Sequence, residues 1–144
     1  MSSRIVQVAF VAAAVVGISG CDGSSSPSEP AGLNDLTVVS ITPPQGTTLS
    51  AGQAVTFDAT LRYTLSAGAS GEISIVIQDQ DDVVLQTGVQ PAVPVTAGSG
   101  VVNLSDSVTI PASGVSLVRV FFALFFDGGG GRTDIATVVT YDVS

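Results

Sequence analysis

The chain has 144 residues, with no histidine, no lysine, no tryptophan and a single cysteine, Cys21. Those gaps remove the usual general base and the Schiff-base amine, and leave one thiol as the whole supply of sulfur nucleophile. A Ser-His-Asp triad cannot be assembled, zinc sites of the His or Cys type cannot be assembled, and no Gly-rich phosphate loop ending in Lys occurs. A carboxylate pair for glycoside hydrolysis would draw on a chain with only two glutamates, Glu29 and Glu72. The expectation is a protein that is not an enzyme and needs no cofactor.

Positive charge is almost as scarce. Four arginines face twelve acids, for a formal net charge of −8. Nucleic acid is therefore excluded as a partner, because phosphate binding needs clustered cations. The same charge disfavours lying flat on anionic lipid.

What the chain does have begins at its first residues. Arg4 precedes an apolar run from Ile5 to Val16 broken only by Gln7, and small residues follow from Gly17 to Gly20. A membrane-spanning helix needs about 20 apolar residues, whereas the apolar part of an export signal has about 7–15. The run therefore predicts export. The alternative, a buried amphipathic helix, has neither a polar face nor capping residues to support it.

The segment Ile18-Ser19-Gly20-Cys21, behind that charge and apolar run, resembles the lipobox of bacterial lipoproteins. The resemblance implies cleavage of a signal peptide (residues 1–20), acylation of the Cys21 sulfur as with palmitate, and a lipid-anchored place on a membrane of the bacterial cell envelope. It also accounts for a lone cysteine in an exported chain, which would otherwise be an unpaired reactive thiol. One acyl chain holds a protein to a membrane marginally, and the two or three of a mature lipoprotein hold it stably. Asp22 resembles the residue that retains such proteins in the inner membrane of enteric bacteria. After residue 20, three arginines set against twelve acids leave a net of −9.

Residues 21–35 continue from Cys21 with Ser, Pro, Gly and acids and one large apolar side chain, Leu33. Such a composition cannot offset backbone ordering entropy by burial, so a flexible tether is expected. Residues 36–144 are then enough for one domain with its own core.

That domain reads as strand throughout. From Gln53 to Leu65, Val55, Phe57, Ala59, Leu61, Tyr63 and Leu65 alternate with Thr56, Asp58, Thr60, Arg62 and Thr64. Period two with one apolar face is the mark of a half-buried antiparallel strand. Glu72–Gln78 and Ile135–Val143 repeat it. Leu36–Ile41, Val83–Leu85, Val101–Ile110 and Leu117–Phe126 add four more candidates, with turn signals between them that include Ala67-Gly68 and Ala97–Gly100. Leu117–Phe126 is apolar on both faces, which predicts a central strand partly covered outside or an exposed aromatic patch. It should form a hairpin with Ile135–Val143 across Gly128–Gly131.

Seven strands in about 110 residues predict an all-β fold, a seven-stranded antiparallel two-sheet sandwich. From Thr42-Pro43-Pro44-Gln45-Gly46 through Gly52 to Tyr63-Thr64-Leu65, the domain resembles bacterial immunoglobulin-like and fibronectin type III-like modules. It lacks the Cys, Trp and Cys of antibody-type domains.

Two constellations are candidate sites. Asp79, Asp81 and Asp82 could supply carboxylates to calcium, or make a solvated polar turn that protects a sheet edge. Asp127, Arg132 and Asp134 flank four glycines and form either a binding loop or a local ion pair at a flexible hairpin tip. Three functions stay open: a non-catalytic, membrane-anchored Ig-like domain making protein or glycan contacts; an accessory subunit docked on a larger envelope complex through Leu117–Phe126; and a calcium-dependent carbohydrate-binding module.

Overall fold

A computed structural model describes residues 34–127 and 132–144. The signal segment, Cys21 and nearly all of the tether lie outside the described residues. Within them there are five strands and no helix: β1 (Asp35–Thr42), β2 (Ala54–Asp79), β3 (Ala92–Thr109), β4 (Leu117–Asp127) and β5 (Arg132–Asp142). All strand pairs are antiparallel, and hydrogen bonding runs through one sheet in the order β1-β2-β4-β5, with β3 also on β2.

The all-β expectation holds, but the strand count is corrected from seven to five. Gln53–Leu65 and Glu72–Gln78 are the two ends of one 26-residue strand, β2. Val101–Ile110 belongs to an 18-residue strand that starts at Ala92. Val83–Leu85 forms no strand and supplies a single bridge, Val84 to Gln78. Both misread turn signals lie at one place, because Leu65 pairs with Gly98 and Ser70 with Thr96, and the register shifts between them. The small residues let the β2-β3 hairpin bend there, with Gly98 at φ 109°, instead of reversing the chain.

The bend gives β2 two sets of neighbours. Its first half, Asp58–Thr64, pairs with β1, and its second half, Ser70–Asp79, pairs with β4. The sheet thus has two wings joined by a folded hairpin, not two separately hydrogen-bonded sheets. Across the gap, Tyr141 of β5 packs on Phe57 of β2 with ring centroids 5.2 Å apart, and its hydroxyl donates to the Pro43 carbonyl at 2.7 Å. Burial pushes the Tyr141 pKa up to about 12, so that hydroxyl stays a donor at ordinary pH.

The core follows the sequence alternation closely. Val55, Phe57, Ala59, Leu61 and Leu65 are buried from β2, and Ile73, Ile75 and Ile77 are completely so. On β4 the even positions Val118, Val120, Phe122, Leu124 and Phe126 face in, while Phe121 and Phe125 are half-buried. Removing each large apolar side chain from water contributes about 1.5–3 kcal/mol. The β4-β5 hairpin expected across the glycines forms, with Asp127 opposite Arg132.

Strand separation at the bend is set by Gly71. A Cβ built there would lie 2.2 Å from the Phe125 carbonyl oxygen, a backbone atom that cannot turn aside. A Cβ at Gly100 would meet the Tyr63 ring at 2.7 Å, and a ring can rotate away. Gly71→Ala should therefore cost about 2–3 kcal/mol by forcing β2 and β4 apart, and Gly100→Ala clearly less. Urea unfolding of both variants checks this, with equal losses contradicting it.

Candidate functional site

The strand directions sort every loop to one of two ends. Asn34, the bend at residues 66–69 and the β4-β5 hairpin tip share one end, since Asp35 pairs with Thr64 and Ser70 with Asp127. Asn34 is fixed there: its Oδ1 accepts from the Ser66 N–H at 2.8 Å and the Ser66 hydroxyl at 2.7 Å. Residues 43–53, 80–91 and 110–116 and the C-terminus lie at the other end, where Thr42 meets Asp58, Asp79 meets Val118 and Leu117 meets Asp142. The two acidic candidates are thus separated by the length of the domain.

Of the Asp127, Arg132 and Asp134 set, Asp127 is exposed and its backbone pairs with that of Arg132 at the hairpin tip. Residues 128–131 lie outside the described residues. Beside Asp127 is a cleft of about 390 Å³ lined by Ser70, Gly71, Glu72, Pro94, Phe125 and Asp127. It lies at the bend, where β3 and β4 flank β2 on either side.

The Asp79, Asp81 and Asp82 set is a turn braced from another strand. Asp79 is buried, and its Oδ1 accepts from the backbone N–H groups of Asp81 at 2.8 Å and Val83 at 2.9 Å. Asp82, at φ 65°, accepts at Oδ1 from Arg119 at 2.7 Å. Arg119 also donates from Nη2 and Nε to the Asp79 carbonyl, at 2.6 and 3.1 Å, and lies over the Phe121 ring at 5.7 Å. Gln80 accepts from the Ser116 N–H at 3.1 Å and donates to the Gly114 carbonyl at 2.9 Å, tying the turn to the loop before β4. Among the described residues, no group of three or more His, Cys, Asp or Glu side chains is placed to hold a metal ion.

Sequence reasoning placed this turn and missed its two organisers, Arg119 and Gln80. Arg119 carries the one visible signal, a cation at an outer-face position in the otherwise apolar stretch Leu117–Phe126. Its partners become evident only once β4 is known to pair with the second half of β2. The ion pair itself is partly exposed, so it contributes about 1 kcal/mol or less.

The outer face of the first wing is a cross-strand polar ladder. Thr56 bonds Ser107 at 2.8 Å, Thr60 bonds Asn103 at 2.9 Å, Thr64 bonds Ser99 at 3.1 Å, and the Ser105 hydroxyl donates to Asp58. These pairs occupy one another, and each contributes a few tenths of a kcal/mol up to about 1 kcal/mol to strand pairing.

No protein-family model and no curated protein matches this chain. Among solved structures it is similar to a Bordetella pertussis protein named as ApaA, at 17% identity and a TM-score of 0.44, covering 79% of this chain and 98% of that one.

With Oδ1 of both Asp79 and Asp82 holding a protein donor, the acidic turn should not respond to calcium. Millimolar calcium is expected to leave the melting temperature unchanged, while Asp79→Ala, which strips two backbone N–H groups of their acceptor, should cost about 1–3 kcal/mol. A calcium-dependent rise that disappears in Asp79→Ala would restore the ion-binding reading.

Proposed function

We propose that the chain is a bacterial envelope lipoprotein, held by lipid on Cys21, that presents a non-catalytic immunoglobulin-like domain for protein or glycan contacts. The observation that carries this reading is Ile18-Ser19-Gly20-Cys21 behind a short apolar run. The two wings would be the two layers of an immunoglobulin-like sandwich whose layers stay joined through the bent β2-β3 hairpin. Support for that comes from the pairing of β1 with the first half of β2, of β4 with the second, and from Leu49 running parallel to the end of β5.

The ends of the domain then acquire different roles. A tether arriving at Asn34 would turn the hairpin tip and the Asp127 cleft toward the membrane. Residues 43–53, 80–91 and 110–116 would face away from it, with Val89 of the second loop 98% exposed. Contact residues are therefore expected at the tether-distal end. Cys21→Ala should move the protein from the membrane fraction to the soluble one or leave it unprocessed. An acylated, membrane-bound Cys21→Ala protein would end this reading.

The accessory-subunit reading rests on a different observation. Phe121 lies opposite Val76 of β2 and Val138 of β5, so three apolar side chains form a row across the outer face of the second wing. Val138 is 46% exposed and Phe121 half-buried. If this row is a contact surface, Phe121→Ser should release the protein from its complex with little loss of stability, whereas Phe122→Ala should cost about 3–5 kcal/mol. Native electrophoresis of detergent-solubilised membranes reads the first and thermal melting the second. Similar destabilisation in the two variants would make the outer row part of the fold and remove it as a docking face.

A further inference from the structure

Among the described residues, two stretches of strand edge are closed by identifiable groups. On the β1 and β5 side, Leu49 and Ala51 zip against the last residues: Leu49 N–H to the Asp142 carbonyl at 2.8 Å, Ser144 N–H to the Leu49 carbonyl at 2.9 Å, and Ala51 N–H to the Ser144 carbonyl at 3.0 Å. Where β2 runs past the start of β3, its edge is taken up by residues 83–91. Ile77 N–H donates to Gln86 Oε1 at 2.7 Å, Leu85 N–H to the Ile77 carbonyl at 2.9 Å, and Ile75 N–H to the Pro91 carbonyl at 3.3 Å. These are the usual ways a protein keeps strand edges from pairing with other chains.

The outer edge of β3 has no such cover over its middle. Among the described residues β3 pairs only with β2. Ile110 N–H donates to the Gln53 carbonyl at 2.8 Å, and the pairing register is constant from Ala54–Thr109 to Leu65–Gly98. Antiparallel alternation then turns the even-numbered backbone groups of β3 toward β2, and those of Ser99, Val101, Asn103 and Ser105 outward. All four residues are exposed, Val101 at 61%. The protective devices lie beyond this stretch: Pro94 on one side, and on the other Asp106, whose carboxylate is held by Gln86. From Gly98 to Ser105 there is no charge and no proline.

We propose that this edge is a strand-addition site for a second copy of the chain, joining the two β3 strands antiparallel about a two-fold axis at Val102. The register places Val101 opposite Asn103 of the copy and Ser99 opposite Ser105. Both outward rows of N–H and C=O groups are then satisfied, and the hydroxyl ladder continues across the seam. Charge selects the occupant. Two copies of so acidic a chain repel over most of their surfaces, but here the two nearby acids meet no carboxylate: Asp106 lies opposite Gly98 of the copy, and Asp58, bonded by Ser105, lies in the row of Ser99 and Thr64 of the copy. Strand addition draws its affinity from main-chain hydrogen bonds, which a neutral edge of small side chains leaves accessible.

This inference does not depend on the lipid anchor, since the edge lies wholly within the described domain. The test is the oligomeric state of the full chain in detergent, by sedimentation at micromolar concentration, for the native sequence, Val101→Pro and Val101→Lys. Proline removes an N–H that faces away from β2, and lysine places charge on the seam, so both should melt close to the native protein. The expected result is a dimer whose dissociation constant rises roughly tenfold or more in both variants. A monomeric native chain overturns the proposal, and so does a dimer indifferent to both substitutions. Should Val101→Pro melt early, Val101→Lys alone decides. Cys21→Ala should dimerise as the native chain does, which separates failure here from failure of the anchor reading.

Discussion

The close approach of Gly71 to the Phe125 carbonyl is the constraint on which the rest of the architecture depends. It lets β4 lie against the second half of β2 just beyond the bend, while the first half of the same strand stays bound to β1 and β3. Without that bend, the 26 residues of β2 would run straight and its two apolar stretches could not enclose a common interior. With it, Phe57 and Leu61 from one half and Ile73, Ile75 and Ile77 from the other contribute to a single core. A change at the bend therefore acts on both wings together.

The faces of the strands were legible because period two is a local property. Val55, Phe57, Ala59 and Leu61 are buried and Thr56, Asp58 and Arg62 exposed, as the alternation requires. The strand count was not legible. Ser66-Ala67-Gly68-Ala69-Ser70-Gly71 suits a reversal and a bent continuation equally well, since small residues relieve the same steric limits in both. The choice is made by β4, whose pairing partners on β2 lie about fifty residues earlier in the chain. Local composition holds no trace of such a partner.

The candidate sites divide in the same way. The polar turn at Asp79–Asp82 and the hairpin tip at Asp127 and Arg132 were both placed by sequence. What each does depends on distant residues: Arg119 and Gln80, by holding the turn to β4 and the loop before it, give the acidic cluster a structural task. The doubly apolar character of β4 also finds its explanation. Its even positions fill the core, and its odd positions form the row of Phe121 with Val76 and Val138 on the outside. One strand thus contributes to stability on one face and to a prospective contact on the other.

Edge protection gives the functional argument its direction. A chain that ties Leu49–Ala51 to the end of β5 and covers the β2 edge with Gln86 and Pro91 has the means to block β3 as well, by extending the segment after Asp79 or by placing a charge among Ser99–Ser105. It does neither. The unblocked stretch also carries one side of the polar ladder, through Ser99, Asn103 and Ser105. Backbone groups exposed to water cost the monomer little, because water satisfies them, and they become favourable only when a matching strand displaces that water. The edge therefore adds nothing to the stability of the single domain, and its value appears in association.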